Sequence, residues 1–118
     1  MTTQLYTNDI FVEHLTPTGH PERPDRIRAV NEALEPEEFA GLQRLTTEMA
    51  DDATFAYAHP QAYVDGIRNK IPEEGQVRLD ADTAVSPKSW LCARHAVGGG
   101  MAAIDAVFDG QADNAFVA

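Results

Sequence analysis

"SPKSWLCARHAVGGGMAAIDAVFDGQADNAFVA", residues 86–118, decides the fold. Ser86 and Pro87 make an N-cap and first-turn pair for a helix. The apolar positions after them recur at helical spacing as far as Gly110, which suits the left-handed residue that follows a helix. "NAFVA", residues 114–118, then reads as an apolar strand. A long helix delivering the chain into a strand predicts an α/β protein with a parallel sheet. In such sheets functional residues sit just past the carboxyl ends of strands, and Ala118 is the last residue of this strand. Gly98, Gly99 and Gly100 lie inside the helix, where three glycines cost roughly 2–3 kcal/mol against alanine. That cost predicts close packing of another element against the face that lacks Cβ atoms.

Working back towards the N-terminus, "QLYTND" (4–9) predicts a short first strand and "LQRLTTEM" (42–49) a second. Between them lies "TPTGHPERPDRIRAVNEAL" (16–34). His20 and Arg23 each precede a proline, which pushes both out of the α region. Pro24 fits the first turn of a helix, and Ile27, Val30, Ala33 and Leu34 give Pro24–Leu34 an apolar face. "PEEFAGL" (36–42) is a further helical turn. Asp51 is placed to cap "DDATFAYAH" (51–59), and Pro60 opens a helix with Tyr63, Val64 and Ile67 on one side. "PEEGQVRLDADTAVSP" (72–87) is polar with a glycine turn and is expected to be a long loop.

The whole chain of 118 residues is one domain's worth, 43% hydrophobic and 24% charged. No apolar run is long enough for a bilayer, so no membrane partner is expected. "MTTQLYTNDIFVEH" lacks the basic segment and apolar core of a signal peptide. A single cysteine, Cys92, allows no intrachain disulfide and points to a reducing compartment, with the cytoplasm expected. The net charge of −10 argues against nucleic acid, which needs a basic patch. From Glu32 to Asp52 acids heavily outnumber the one basic residue, Arg44. Such a stretch reads first as a solvated surface, and second as a field that steers a cationic substrate.

Few residues carry recognisable chemistry by pattern alone. His14, His20, His59 and His95 form no helical pair, no HExxH and no CxxC. His14 and His59 are expected to be structural or surface residues, and His95 to sit on a helix face. Cys92 lies near Arg94 and His95 in sequence, but those side chains diverge on a helix, so it is a poor nucleophile. Asp80 and Asp82, two apart on an extended segment, point the same way. They read either as a turn cap or as a carboxylate that accepts hydrogen bonds from a ligand's backbone N–H groups.

"GHPERPDRIRAV" resembles the first loop and helix of the histone deacetylase family. These zinc-dependent amidohydrolases include acetylpolyamine amidohydrolases and acetoin-utilisation proteins. "FAYAHPQAYVDGI" is similar to the family's next signature. "DADTAVSP" with the glycine-bearing helix and "NAFVA" is similar to its second pocket loop, helix and strand. The resemblance implies the N-terminal part of an arginase/deacetylase-like, three-layer parallel-sheet fold. Residues 1–118 would then be an incomplete domain that ends before the general-base histidines, the zinc ligands and the transition-state tyrosine.

The roles it implies are those of a pocket wall. Arg26 matches an arginine near the base of the active-site tunnel, and a guanidinium there suits a carboxylate. Asp82 matches the rim position that holds the substrate's backbone amides. His20, Pro21 and Glu22 match the first-loop wall. No catalytic and no metal-binding residue is expected in this segment; zinc belongs to the complete enzyme, and one cysteine with Arg23 in place of a histidine argues against a structural zinc here. The implied substrate is an acylated lysine or a polyamine-type amide. The other reading is a free-standing binding or oligomerisation module, and on either reading an open strand edge predicts self-association.

Overall fold

A computed structural model describes all residues, Met1–Ala118. The chain runs β1 (Thr3–Thr7), α1 (Pro24–Ala33), β2 (Gln43–Thr46), α2 (Gln61–Arg68), β3 (Val77–Arg78), β4 (Ala84–Val85), α3 (Ser89–Phe108) and β5 (Asn114–Val117). Three short 3-10 helices, Asp9–Glu13, Glu37–Phe39 and Asp52–Tyr57, lie in the connections. The main sheet has the order β2-β1-β5 and both pairings are parallel, with Tyr6 between Leu45 and Val117. The α/β class follows as expected.

β1 is the central strand and the most deeply buried, with Leu5 only 1% exposed. A strand covered on both faces accepts polar residues only when they are paired. Buried Gln4 meets that condition: its amide donates to Gln43 Oε1 at 3.0 Å, and its own Oε1 accepts the Tyr6 hydroxyl at 2.7 Å.

The three glycines divide by position. A Cβ on Gly98 would lie 1.9 Å from the carbonyl oxygen of Glu48, and one on Gly99 2.6 Å from Thr47 Cγ2. A Cβ on Gly100 would meet open space. The element that presses on α3 is therefore the backbone leaving β2, and it joins α3 directly. The Ala50 N–H donates to the Arg94 carbonyl at 3.0 Å, and Arg94 Nε returns a 3.0 Å bond to the Ala50 carbonyl. At the far end Gly110 has φ +72°, with Gln111 N–H bonded to the Ala106 carbonyl and Gly110 N–H to that of Val107. That is the double closure of a Schellman end, as the sequence predicts.

Several local expectations are corrected. Ser86 does not cap α3 with its hydroxyl, because this fully buried group accepts the Leu15 N–H at 2.9 Å. Instead Ser89 Oγ reaches back to the Ser86 N–H at 2.8 Å, and the helix starts at Ser89. Asp51 likewise makes no side-chain cap, and its segment is a 3-10 turn and not an α-helix. The acid used there is Asp52, which is held between Arg68 (2.9 Å) and Arg94 (3.2 Å). The expected long loop at 72–87 contains a hairpin, with Val77 opposite Val85 and Arg78 opposite Ala84. Its second strand is buried and its first exposed, so polarity along the chain concealed it.

Candidate functional site

The first loop, α1, α2, the hairpin and α3 enclose an open cleft of 560 Å³ beside the carboxyl end of β5, where Val117 and Ala118 form part of its wall. A cleft past the carboxyl ends of parallel strands is where an α/β sheet places its ligands. Its lining is mainly apolar: Ile27 comes from α1, Val64 and Ile67 from α2, and Val85 from β4. Aromatic groups add a second surface. Phe55 and Trp90 lie 5.0 Å apart between ring centroids, and the His59 and Tyr63 rings 5.3 Å apart. The Arg68 guanidinium is 6.0 Å from the Trp90 ring and so already occupies one cation–π position.

The first loop is shaped by its own backbone. His20 N–H bonds to the Pro17 carbonyl at 3.0 Å across a turn in which Gly19 has φ +83°, the left-handed geometry that favours glycine. Arg23 is extended (φ −157°, ψ 156°), as a residue before proline should be, and Pro24 opens α1. Thr16 Oγ1 donates to the Glu22 carbonyl and closes the loop. Glu22 and Arg26 thereby enter the cleft wall, joined by a 3.3 Å contact between Arg26 Nη2 and Glu22 Oε1. Both side chains are about half exposed, so the pair is wet and its guanidinium is available to another carboxylate.

His20, Pro21 and Asp82 stand just outside that lining, within two residues of Glu22 and Thr83, which are part of it. His20 Nε2 lies 3.0 Å from the Asp82 carbonyl oxygen and 3.2 Å from its Oδ1, across 62 positions of sequence. Pro21 is exposed. The paired acids separate in role. Asp80 Oδ1 accepts the Asp82 N–H at 2.8 Å, and this bond, with a further one from Thr83, holds the Asp80 carboxyl below its usual range. Asp82 keeps its carboxylate in solvent, 91% exposed. One acid closes the turn, and the other stands in solvent with one oxygen beside His20.

Two groups in the cleft wall have no sequence signature. His14 Nδ1 lies 2.7 Å from Ser89 Oγ; burial lowers its pKa, against an opposing pull from Glu22 and with a smaller push from His20. Cys92 donates to the Ile10 carbonyl at 3.0 Å, and burial, with help from Glu13, pushes its thiol up to about 11. Such a thiol is not a nucleophile at neutral pH. His95, on α3, is taken by Thr47 and Asn8, with Nδ1 at 3.1 Å from Thr47 Oγ1 and 3.2 Å from Asn8 Nδ2. No three of the His, Cys, Asp and Glu side chains converge as ligands of one ion.

Known proteins share this arrangement. The histone deacetylase domain profile matches residues 20–118. The histone deacetylase-like amidohydrolase of Pseudomonas aeruginosa is 31% identical over 107 residues, covering 90% of this chain and 28% of its own. An uncharacterized protein of Synechocystis sp. is 34% identical over 113 residues, covering 91% and 36%. The crystal structure of the HDA15 HD domain superposes with a TM-score of 0.87 at 21% identity, over 98% of this chain and 34% of that one. The fold is thus the N-terminal part of that domain's fold, and the chain spans about a third of the length of the proteins it matches. With the domain profile covering all but the first nineteen residues, the chain belongs to the histone deacetylase family.

Proposed function

We propose that residues 1–118 form the N-terminal segment of a zinc-dependent deacetylase domain, and that they supply the substrate-facing wall for hydrolysis of acetyl-lysine or a related N-acyl amine. The supporting observation is the meeting of His20 and Asp82, which brings the first loop and the hairpin together at the cleft that Glu22 and Arg26 line. Zinc bound in the complete enzyme would supply the Lewis acidity for that hydrolysis. The residues of this chain bind and orient. Asp82 accepts hydrogen bonds from the substrate's backbone N–H groups, and the apolar and aromatic wall takes the acyl-amine stem. Amide hydrolysis releases a carboxylate, and Arg26 can exchange Glu22 for that product because a guanidinium pairs with either.

The test is steady-state hydrolysis of acetyl-lysine peptides and acetylated polyamines by a complete, zinc-supplied enzyme that carries residues 1–118 as its N-terminal segment. Arg26→Ala should lower kcat by about tenfold, the order of one lost charge-assisted hydrogen bond. Asp82→Ala should mainly raise KM for peptides and leave polyamines unaffected. Unchanged kinetics in both variants would sink the assignment of roles. The same reading carries a cytoplasmic setting and no nucleic-acid or membrane partner, supported by buried, reduced Cys92 and the net charge of −10. No helix is long and apolar enough to cross a membrane.

Self-association of the 118-residue chain is part of the proposal. Its support is the outer stripe of α3, where Met101, Ile104 and Phe108 are 39%, 57% and 87% exposed, beside the unpaired edge of β5 with Phe116 51% exposed. Light scattering over a concentration series should show a mass above 12.9 kDa; a folded monomer throughout would count against it.

A further inference from the structure

We propose that His20 is the positioning residue for Asp82: its ring ties the first loop to the hairpin and leaves one Asp82 carboxylate oxygen directed at the substrate's backbone N–H groups. This rests on the deacetylase reading above.

The shorter contacts of the ring match one tautomer. A backbone N–H can only donate, and the Glu22 N–H lies 3.0 Å from His20 Nδ1, nearer than the Glu22 carbonyl at 3.3 Å, so acceptance is the better-matched role of that nitrogen. A carbonyl can only accept, and the Asp82 carbonyl lies 3.0 Å from Nε2, so that nitrogen carries the proton. The shorter contacts thus match the Nε2–H form, with one nitrogen serving each loop. The ring is also sheltered, its side chain only 17% exposed, while Asp82 stands in water.

Asp82 is held from both sides. Its N–H is bonded to Asp80 Oδ1 at 2.8 Å, and the loop is closed by the Leu79 N–H on the Thr83 carbonyl at 2.8 Å. Those contacts fix the backbone of the turn but leave the carboxylate free to rotate. The 3.2 Å contact of Nε2 with Oδ1 selects a rotamer and leaves Oδ2 unengaged. An exposed acid that must receive peptide N–H groups binds better if that rotamer is set beforehand, because the ordering cost is not charged against binding.

Two substitutions divide the ring's functions. In His20→Asn the side-chain oxygen stands close to the place of Nδ1 and can still accept the Glu22 N–H, but nothing reaches Asp82. In His20→Gln the amide nitrogen stands close to the place of Nε2 and can still donate to Asp82. In steady-state assays of the complete, zinc-supplied enzyme, His20→Asn should raise KM for acetyl-lysine peptides about fivefold with kcat unchanged, the order expected when one side chain loses its preorganisation. His20→Gln should stay near the unaltered protein. On an acetyl-lysine substrate whose flanking amides are replaced by esters, the two variants should not differ. Equal peptide KM for His20→Asn and the unaltered protein would overturn the proposal, as would an equal rise on the ester substrate.

The ring can be read without activity. Two-bond 1H–15N spectra of the 118-residue chain should show the Nε2–H pattern for His20, and His20→Asn should broaden the Asp82 amide. An Nδ1–H pattern, or an Asp82 amide indifferent to the substitution, would overturn the link. Absence of turnover in the complete enzyme would remove the deacetylase reading alone, and the spectra would then decide whether His20 holds Asp82.

Discussion

The contact of α3 with the strand-exit segment Thr47–Ala50 and the contact of the first loop with the hairpin are built from opposite materials. In the first, two stretches of backbone meet with no side chain between them at Gly98, and the Thr47 side chain fills the space beside Gly99. In the second, the backbones stand apart and side chains span the gap, the His20 imidazole reaching Asp82 and the Gln76 amide donating to the Thr16 carbonyl at 3.1 Å. Backbone contact of the first kind has no slack, since carbonyl and amide positions are set by the helix and the strand. Contact of the second kind keeps slack, since it rests on exposed polar groups that water can replace. A scaffold held by the first can carry a binding rim held by the second, and the rim can adjust without disturbing the sheet.

The sharpest way to break this contrast is to add one methyl group to α3. Gly98→Ala places a Cβ 1.9 Å from the Glu48 carbonyl, which is backbone and cannot swing aside. We expect a loss of about 3 kcal/mol or outright failure to fold, at the upper end for overpacking. Gly100→Ala adds the same atom to open space and should stabilise by up to about 1 kcal/mol through helix propensity. Urea unfolding of the two variants measures both. Similar midpoints would show that the glycine run serves the helix generally, with no special contact at Gly98.

The two regions were also unequally legible. The glycine run announced a close approach because three costly residues in a periodic helix need a reason, and Gly110 announced the helix end because few residues adopt positive φ. Neither signal depends on what lies elsewhere in the chain. What the sequence concealed was the identity of the partner, since nothing in "TEMA" marks backbone that will lie on glycines 50 residues away. The hairpin at Val77–Val85 was concealed for a similar reason. Its strands have two residues each, too short for a period, and only the tertiary burial of Ala84 and Val85 makes them a pair. His20 and Asp82 were legible as residue types matching a family loop, but their contact across 62 positions was not.

His14 lies at the seam, since it leaves the N-terminal segment and bonds to Ser89 on α3. Burial depresses its pKa from the ordinary 6.5, so in acid the unfolded chain binds a proton that the folded chain resists. The stability involved is complete above about 6.5 and falls as pH drops through that value, levelling only below the folded-state pKa. His14→Asn keeps a polar atom near Ser89 Oγ and cannot titrate. Its Tm should therefore fall less than that of the unaltered protein between about pH 7.5 and about pH 5.5, a window that spans the ordinary histidine value. Parallel curves would mean that the ring is solvated in solution and that the seam belongs with the slack region.

The smallest effect should come from the rim itself. Glu22 and Arg26 form an ion pair with side chains 49% and 56% exposed, and pairs of that kind contribute about 0.5 kcal/mol or less. Glu22→Ala removes the carboxylate but keeps the backbone groups that shape the loop, namely the carbonyl that accepts from Thr16 and the N–H that donates to His20. The unfolding midpoint should barely move, and the difference should vanish at about 0.5 M salt, where exposed charges are screened within a few ångströms. A salt-independent loss above about 1 kcal/mol would mean that the pair is drier than its exposure indicates. The rim would then be held as firmly as the glycine contact, and Arg26 would have to break a strong bond before it could meet a product carboxylate. A small, screened effect leaves the guanidinium free to change partners, as a group waiting for a second carboxylate must be.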